Sequence, residues 1–85
     1  MKIIIAGAGE VGTHLAKLLS REEQDIILID NDEEKLRELD ANYNLMTVIG
    51  NPTAFQTLKQ AQVYKADLFI AVMPFESRNV QWHRN

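Results

Sequence analysis

The sequence predicts an α/β fold with a doubly wound parallel sheet, in the order β-α-β-α-β-α-β. Four apolar runs recur at intervals of roughly 20 to 25 residues, and segments with helical spacing separate them. None of the four runs alternates between apolar and polar residues, which favours strands buried on both faces of a parallel sheet over a half-solvated antiparallel sheet.

The predicted strands are Lys2–Ala6, Asp25–Asp30, Leu45–Ile49 and Asp67–Val72. Parallel strands end at one edge of their sheet, so the loops after these strands are expected to share one crevice. Two of these loops comprise residues 50–53 and 73–76. For each loop, ligand binding and a purely structural role are equally good interpretations. The structural role is ordinary turn chemistry for the first loop and capping of the core edge for the second.

Apolar residues at helical spacing predict the inward face of each helix. They are Val11, Leu15, Leu18 and Leu19 on the first helix, Leu36 and Leu39 on the second, and Phe55 and Leu58 on the third. The second helix is expected to begin after Asn31 or Asp32, which are good N-cap residues. The third is expected to cover about Thr53–Gln60, and a fourth to open at residues 76–80.

The composition sets limits on function. The chain has 85 residues, 46% hydrophobic and 25% charged, which is the size of one small domain. It has no cysteine, which excludes a disulfide scaffold, thiolate metal ligands and cysteine nucleophiles. A net charge of −3 provides no general attraction for nucleic acid or an anionic membrane. The apolar run Ile3–Ala6 is too short to span a bilayer. We therefore expect a soluble intracellular domain.

The first strand is followed directly by a G-x-G-x-x-G fingerprint, formed by Gly7, Ala8, Gly9, Glu10, Val11 and Gly12. Gly7 permits a tight turn, Gly9 lets the backbone approach a pyrophosphate, and Gly12 lets the helix pack closely. The helix N-terminus adds unpaired N–H groups and partial positive charge. This strand–turn–helix context predicts a Rossmann-like dinucleotide site; a structural turn without a ligand is the alternative.

Asp30 ends the second strand, 18 residues beyond Gly12. This is close to the spacing of about 20 at which a carboxylate binds the ribose diol. The same carboxylate would repel a 2′-phosphate, which favours NAD(H) over NADP(H). Asp30 also belongs to an acidic group with Asp32, Glu33 and Glu34. Helix capping explains that group better than a divalent metal site does, so no metal ligand is assigned.

No residue is assigned a catalytic role. His14 lies two residues past Gly12, and it is better explained as a solvated helix residue than as a phosphate contact. Ser20 and Ser77 have no general base at a recognisable spacing. The lysines are scattered without interleaved aromatic residues, which argues against nucleic-acid binding.

Four segments together carry a resemblance to a known family: MKIIIAGAGEVGTHLAKLL, LIDNDEEKL, VIGNPT and ADLFIAVMPFESRN. They resemble the N-terminal NAD-binding domain of TrkA-type potassium-uptake regulators, the RCK or KTN family. The resemblance covers about residues 1–80, which are expected to form an incomplete domain, with 81–85 as a tail of uncertain origin. The glycine fingerprint is shared with many dehydrogenases, whereas its combination with Ala71-Val72 and Glu76…Asn79 is more selective.

The resemblance implies a role for each matching residue. It implies that Gly7 to Val11 contact the pyrophosphate and that Asp30 contacts the adenosine ribose. It also implies that Gly50 and Asn51 contact the adenine, and that Met73 and Pro74 contact the central portion of the cofactor. Two positions depart from the family pattern. Asn51 stands where an aspartate is frequent, and Met73 stands where a small hydroxyl residue is frequent. Both departures bear on the details of adenine and phosphate contact.

The function that the resemblance implies is regulatory and not enzymatic. The domain would bind NAD(H), or an adenine nucleotide such as ATP or ADP, and control a membrane potassium-translocating subunit. It would be a cytoplasmic homo-oligomer held at the inner face of the membrane by that partner. Two alternatives stay open: the cofactor-binding half of an NAD-dependent dehydrogenase, and a scaffold that binds no nucleotide.

Overall fold

The computed structural model describes residues 1–72, which form four strands and three α-helices. The strands are β1 (Lys2–Ala6), β2 (Asp25–Asp30), β3 (Met46–Ile49) and β4 (Leu68–Ala71). The helices are α1 (Glu10–Ser20), α2 (Glu33–Asn42) and α3 (Phe55–Gln60), and a 3₁₀ turn at Val63–Lys65 precedes β4. None of these helices is long and apolar enough to cross a lipid bilayer. The predicted fourth helix and the tail lie outside the described residues.

The four strands form one parallel sheet in the order β3-β2-β1-β4. Ile4 on β1 is in register with Ile27 on β2 and with Phe69 on β4. The chain therefore adds β2 and β3 on one side of β1 and β4 on the other side. The strand order reverses beside β1, and open α/β sheets bind ligands at such a switch point. The predicted Rossmann-like α/β fold is confirmed.

The core has two layers, one on each face of the sheet. One layer joins the sheet to α1 and α2, and the other joins it to α3 and the 3₁₀ turn. Ile5 and Leu28, on the two central strands, are fully buried. Burial on both faces is confirmed for β1 and β2 but is wrong for β3 and β4. Met46 and Phe69 are 67% and 43% exposed, and both lie on the outer strands of the sheet that residues 1–72 form.

The first helix turns a different face to the sheet from the one predicted. Val11 and Leu18 are 60% and 45% exposed, so their expected inward position is wrong. The residues of α1 that pack on the core are Gly12, Ala16, Leu15 and Leu19. The smallest of these, Gly12 and Ala16, are the ones that are buried. A helix that approaches the sheet through small residues comes close to it, and the bulkier Val11 and Leu18 then lie to the side.

The second helix follows the prediction. Asp32 is its N-cap and accepts the backbone N–H of Lys35 through Oδ1 at 3.1 Å. This bond satisfies one of the unpaired donors in the first turn. Leu36 and Leu39 are buried in the core, as their spacing predicted.

The third helix differs from the prediction in its start and in its buried face. It begins at Phe55, with Ala54 as N-cap, two residues later than Thr53. Phe55 is 73% exposed, so its predicted inward position is wrong, whereas Leu58 packs against the core. The buried residue is Thr57, against which Gly50 packs closely. Two residues along a helix correspond to a rotation of about 200°, so burial of Thr57 turns Phe55 outward.

Candidate functional site

The turn after β1 depends on two glycines. Gly7 has a φ of 112°, a left-handed conformation that residues with a Cβ rarely adopt. Its N–H donates to the carbonyl of Ile29 at 2.7 Å, which ties the turn to β2. A Cβ on Gly12 would overlap the carbonyl oxygen of Gly7. Gly7 therefore makes the tight turn, and Gly12 allows α1 to start directly against it.

Gly9, between them, faces open space. A Cβ built on Gly9 meets no atom within 4 Å. Gly9 is the N-cap of α1, with no side-chain cap, and its carbonyl accepts the N–H of Thr13 at 2.9 Å. Within residues 1–72, the four N–H groups from Gly9 to Gly12 donate to no acceptor. The start of α1 thus presents several unpaired donors where a phosphate can approach, as helix N-termini do in nucleotide sites.

Asp30, at the end of β2, joins the three loops around the site. Its Oδ1 accepts the N–H of Ala8 and its Oδ2 accepts the N–H of Asp32, both at 3.1 Å. Its backbone carbonyl accepts the N–H of Gly50 at 2.9 Å. A carboxylate offers about four acceptor positions, so Asp30 keeps capacity to accept hydrogen bonds from a ribose diol.

The loop after β3 is ordered by its own side chains. Asn51 Oδ1 accepts both the N–H and the hydroxyl of Thr53, at 2.9 and 2.7 Å. The Nδ2 group of Asn51 makes no hydrogen bond within the described part of the chain and stays available to a ligand. A Cβ on Gly50 would lie 2.7 Å from Thr57 Oγ1, so this glycine is required by close packing against α3.

These loops line an open cavity of about 470 Å³ at the carboxyl edge of the sheet. Its lining residues are Ala8, Gly9, Asp30, Asn31, Asp32, Lys35, Asn51, Pro52 and Thr53. This volume is within the usual range for small-molecule sites, about 300 to 1,000 Å³. Two carboxylates and one ammonium group line the cavity, beside the unpaired N–H groups of α1.

The structure separates the residues that the sequence placed in the site. Four of them line the cavity together: Ala8, Gly9, Asp30 and Asn51. Gly7, Gly12 and Gly50 do not line the cavity. They shape its loops through backbone conformation or close packing. Glu10 and Val11 are exposed in the first turn of α1 and do not line the cavity. Met73 and Pro74 lie outside the described residues.

Sequence reasoning missed two contributors. Lys35 has no role in the sequence analysis, yet it is half-buried and lines the cavity. Its position three residues after the N-cap Asp32 is the signal that could have indicated this. Thr13 was assigned no role, yet its hydroxyl donates to the carbonyl of Ala8 at 2.9 Å. His14 is exposed on α1, as expected for a solvated helix residue.

A second cavity, of about 580 Å³, lies at the opposite edge of the sheet, where the strands begin. Gln24, Asn44, Met46 and Gln62 are among its lining residues. It is larger than the cavity at the carboxyl edge, but it is remote from the glycine turn and from the start of α1. The cavity at the carboxyl edge is therefore the candidate site.

Comparisons with known proteins find relatives over most of the chain. The model of the TrkA-N domain family matches residues 3–82. The Trk system potassium uptake proteins TrkA of Halomonas elongata and Haemophilus influenzae are 45% and 42% identical to the chain over 80 residues, or 94% of its length. A TrkA homolog of Archaeoglobus fulgidus is 43% identical over 75 residues, or 85% of the chain.

The chain spans only part of these relatives. It corresponds to 18% of the length of the Halomonas elongata and Haemophilus influenzae proteins, and to 16% of the Archaeoglobus fulgidus protein. The similarity therefore concerns one domain of a longer protein.

Proposed function

The chain belongs to the TrkA-N domain family, and on that premise we propose that it is the nucleotide-binding regulatory part of a potassium-uptake system. Its ligand is NAD(H) or an adenine nucleotide such as ATP or ADP. The potassium-uptake role is supported by relatives that are named Trk system potassium uptake protein TrkA and are 41–45% identical over 80 residues.

One observation carries the nucleotide assignment: the unpaired N–H of Gly9, at the start of α1, and the Asp30 carboxylate lie at one cavity. A helix N-terminus attracts a phosphate, and a carboxylate at the end of the second strand accepts hydrogen bonds from a ribose diol. Together they fit the adenosine diphosphate moiety that NAD(H), ATP and ADP share. The family resemblance further implies that Gly50 and Asn51 contact the adenine and that Met73 and Pro74, outside the described residues, contact the central portion of a dinucleotide.

Charge favours NAD(H) over NADP(H). Asp30 and Asp32 both line the cavity at the ribose end, and a 2′-phosphate there would face two carboxylates. Lys35 is the one cation among the described lining residues, and it offsets part of this repulsion. We therefore expect NADPH to bind more weakly than NADH.

The regulatory step follows from the position of the site. A ligand that contacts the loops after β1, β2 and β3 stabilises one arrangement of those loops relative to others. The ligand can change the state of a partner only if it binds one arrangement of the loops more tightly than another. The partner in this proposal is a membrane potassium-translocating subunit, and the domain acts without catalysis, as a homo-oligomer at the cytoplasmic face of the membrane.

Calorimetric titration of the full chain with NADH, NAD, ATP, ADP and NADPH tests the ligand assignment. We expect binding of at least one of the first four ligands, and weaker binding of NADPH than of NADH. If none of the five ligands bound, the proposal would be wrong. Potassium uptake by cells that carry Gly9→Ala tests the regulatory role, because that side chain would enter the open space above Gly9. Unchanged uptake would contradict this role.

A further inference from the structure

The peptide unit between Ala8 and Gly9 is held by a side chain of α1. Thr13, the fourth residue of α1, donates its hydroxyl to the carbonyl of Ala8 at 2.9 Å. On the preceding peptide, the N–H of Ala8 donates to Asp30 Oδ1 at 3.1 Å. Both the N–H and the carbonyl of Ala8 are therefore held by hydrogen bonds, and its side chain is buried.

This contact sets the direction of a backbone N–H that can donate a hydrogen bond to a phosphate. The carbonyl of Ala8 and the N–H of Gly9 belong to one planar peptide and point in opposite directions. A hydroxyl that fixes the carbonyl toward α1 also fixes the Gly9 N–H away from it. Gly9 has no Cβ, so without such an anchor this peptide could rotate more freely than one between larger residues.

The geometry of the Thr13 hydroxyl is specific to this turn. A threonine within a helix commonly bonds the carbonyl three or four residues before it. The carbonyl four residues before Thr13 is that of Gly9, which accepts the backbone N–H of Thr13. The hydroxyl reaches one residue further back, to Ala8, and so crosses from the helix to the turn.

We propose that Thr13 is a positioning residue of the phosphate site, acting through Ala8 to direct the Gly9 N–H at a phosphate oxygen of the ligand. This inference rests on the proposed nucleotide binding. It assigns Thr13 to the diphosphate, so that its contribution is the same for every ligand that carries one.

Calorimetric titration of the full chain with NADH and with ADP, using three variants, tests the role of Thr13. Thr13→Val keeps the shape of the side chain and removes the hydroxyl, and we expect both affinities to fall about three- to tenfold. Thr13→Ser keeps the hydroxyl and is expected to restore both affinities to within about twofold of the wild type. Ser20→Ala is the matched control, since it removes a hydroxyl-to-carbonyl bond of the same length, 2.9 Å, at the far end of α1.

Two results would overturn the role of Thr13 while leaving nucleotide binding intact. One is a Thr13→Val protein that binds both ligands as well as Ser20→Ala does. The other is a Thr13→Ser protein that is as impaired as Thr13→Val, because the hydroxyl would then not be responsible. If Thr13→Val fails to fold, as judged by thermal melting, Thr13→Ala replaces it under the same criteria. A wild-type chain that binds neither ligand would overturn the proposed function itself.

Discussion

Asp30 accepts the backbone N–H of Ala8 at 3.1 Å, so one carboxylate joins the end of β2 to the turn after β1. Its other oxygen accepts the N–H of Asp32, at the start of α2. The carboxylate is therefore fixed before a ligand arrives, and less conformational entropy is lost on binding than for a free side chain. The side chain of Asp30 therefore holds the loops of the candidate site together.

Asp30→Ala should weaken NADH binding by about 1–3 kcal/mol, because it removes a charged acceptor for the ribose and releases the turn at Ala8. Titration calorimetry measures the change. Asp25→Ala is the matched control, since Asp25 begins the same strand at the opposite edge of the sheet and is exposed. Equal affinities for the two variants would contradict the ribose assignment.

Gly9→Ala and Gly12→Ala should separate ligand binding from folding. Nothing lies within 4 Å of a Cβ on Gly9, so that variant should keep its stability, or gain about 0.4–1 kcal/mol, and lose NADH binding. A Cβ on Gly12 would overlap a backbone oxygen of Gly7, and that variant should lose about 3 kcal/mol of stability. Urea unfolding and titration of both variants give the comparison. A Gly9→Ala protein that binds NADH normally would show that the ligand does not approach there.

Gly50→Ala should destabilise the chain by about 1–3 kcal/mol through crowding. The new Cβ would lie 2.7 Å from Oγ1 and 2.9 Å from Cγ2 of Thr57. Thr57→Ala removes both atoms. The free energy of unfolding of the double variant should therefore exceed, by about 1 kcal/mol, the value expected from adding the two single effects. Thr57→Ser removes only Cγ2 and should give less relief. Additive effects in urea unfolding would mean that Gly50 does not depend on Thr57.

Asp32→Ala should lower the free energy of unfolding by about 1 kcal/mol, because it removes the N-cap bond to Lys35. Asp40→Ala is the control: it removes an exposed carboxylate from the same helix, with an expected change within about 0.5 kcal/mol. Thermal or urea unfolding compares the two. Equal losses would show that the N-cap bond is not the source of the effect.

The sequence predicted the fold because the positions of strands, turns and helix starts depend on short stretches of sequence. Branched apolar runs set the strands, and residues such as Asp32 and Gly7 fix where helices and turns begin. Val11, Leu18 and Phe55 were misplaced because helix rotation is set by tertiary contacts. Gly12 against Gly7 and Gly50 against Thr57 determine which side of α1 and of α3 approaches the sheet. Spacing within one helix does not contain that information.

The candidate site was predictable in part. The glycine fingerprint and Asp30 were identified because they follow strands that end at one edge of a parallel sheet. Lys35 and Thr13 were not predicted because each makes its contact across elements: Lys35 lines the cavity from α2, and Thr13 donates from α1 back to the turn. Such contacts depend on how helices dock on the sheet, which short-range sequence patterns do not specify.

Chemical-shift mapping of the full ¹⁵N-labelled chain with NADH and with ADP tests the central claim most directly, since it shows where an adenine nucleotide binds. We predict that both ligands shift the amide signals of residues 30–32 and 51–53, which line the cavity at the carboxyl edge, and of residues 8–12, which form the turn and the start of α1 beside it. The signals of Gln24, Asn44 and Gln62, at the amino-edge cavity, should stay unchanged. Shifts confined to those three residues, or no shifts at all, would contradict the assignment of the carboxyl edge as the nucleotide site.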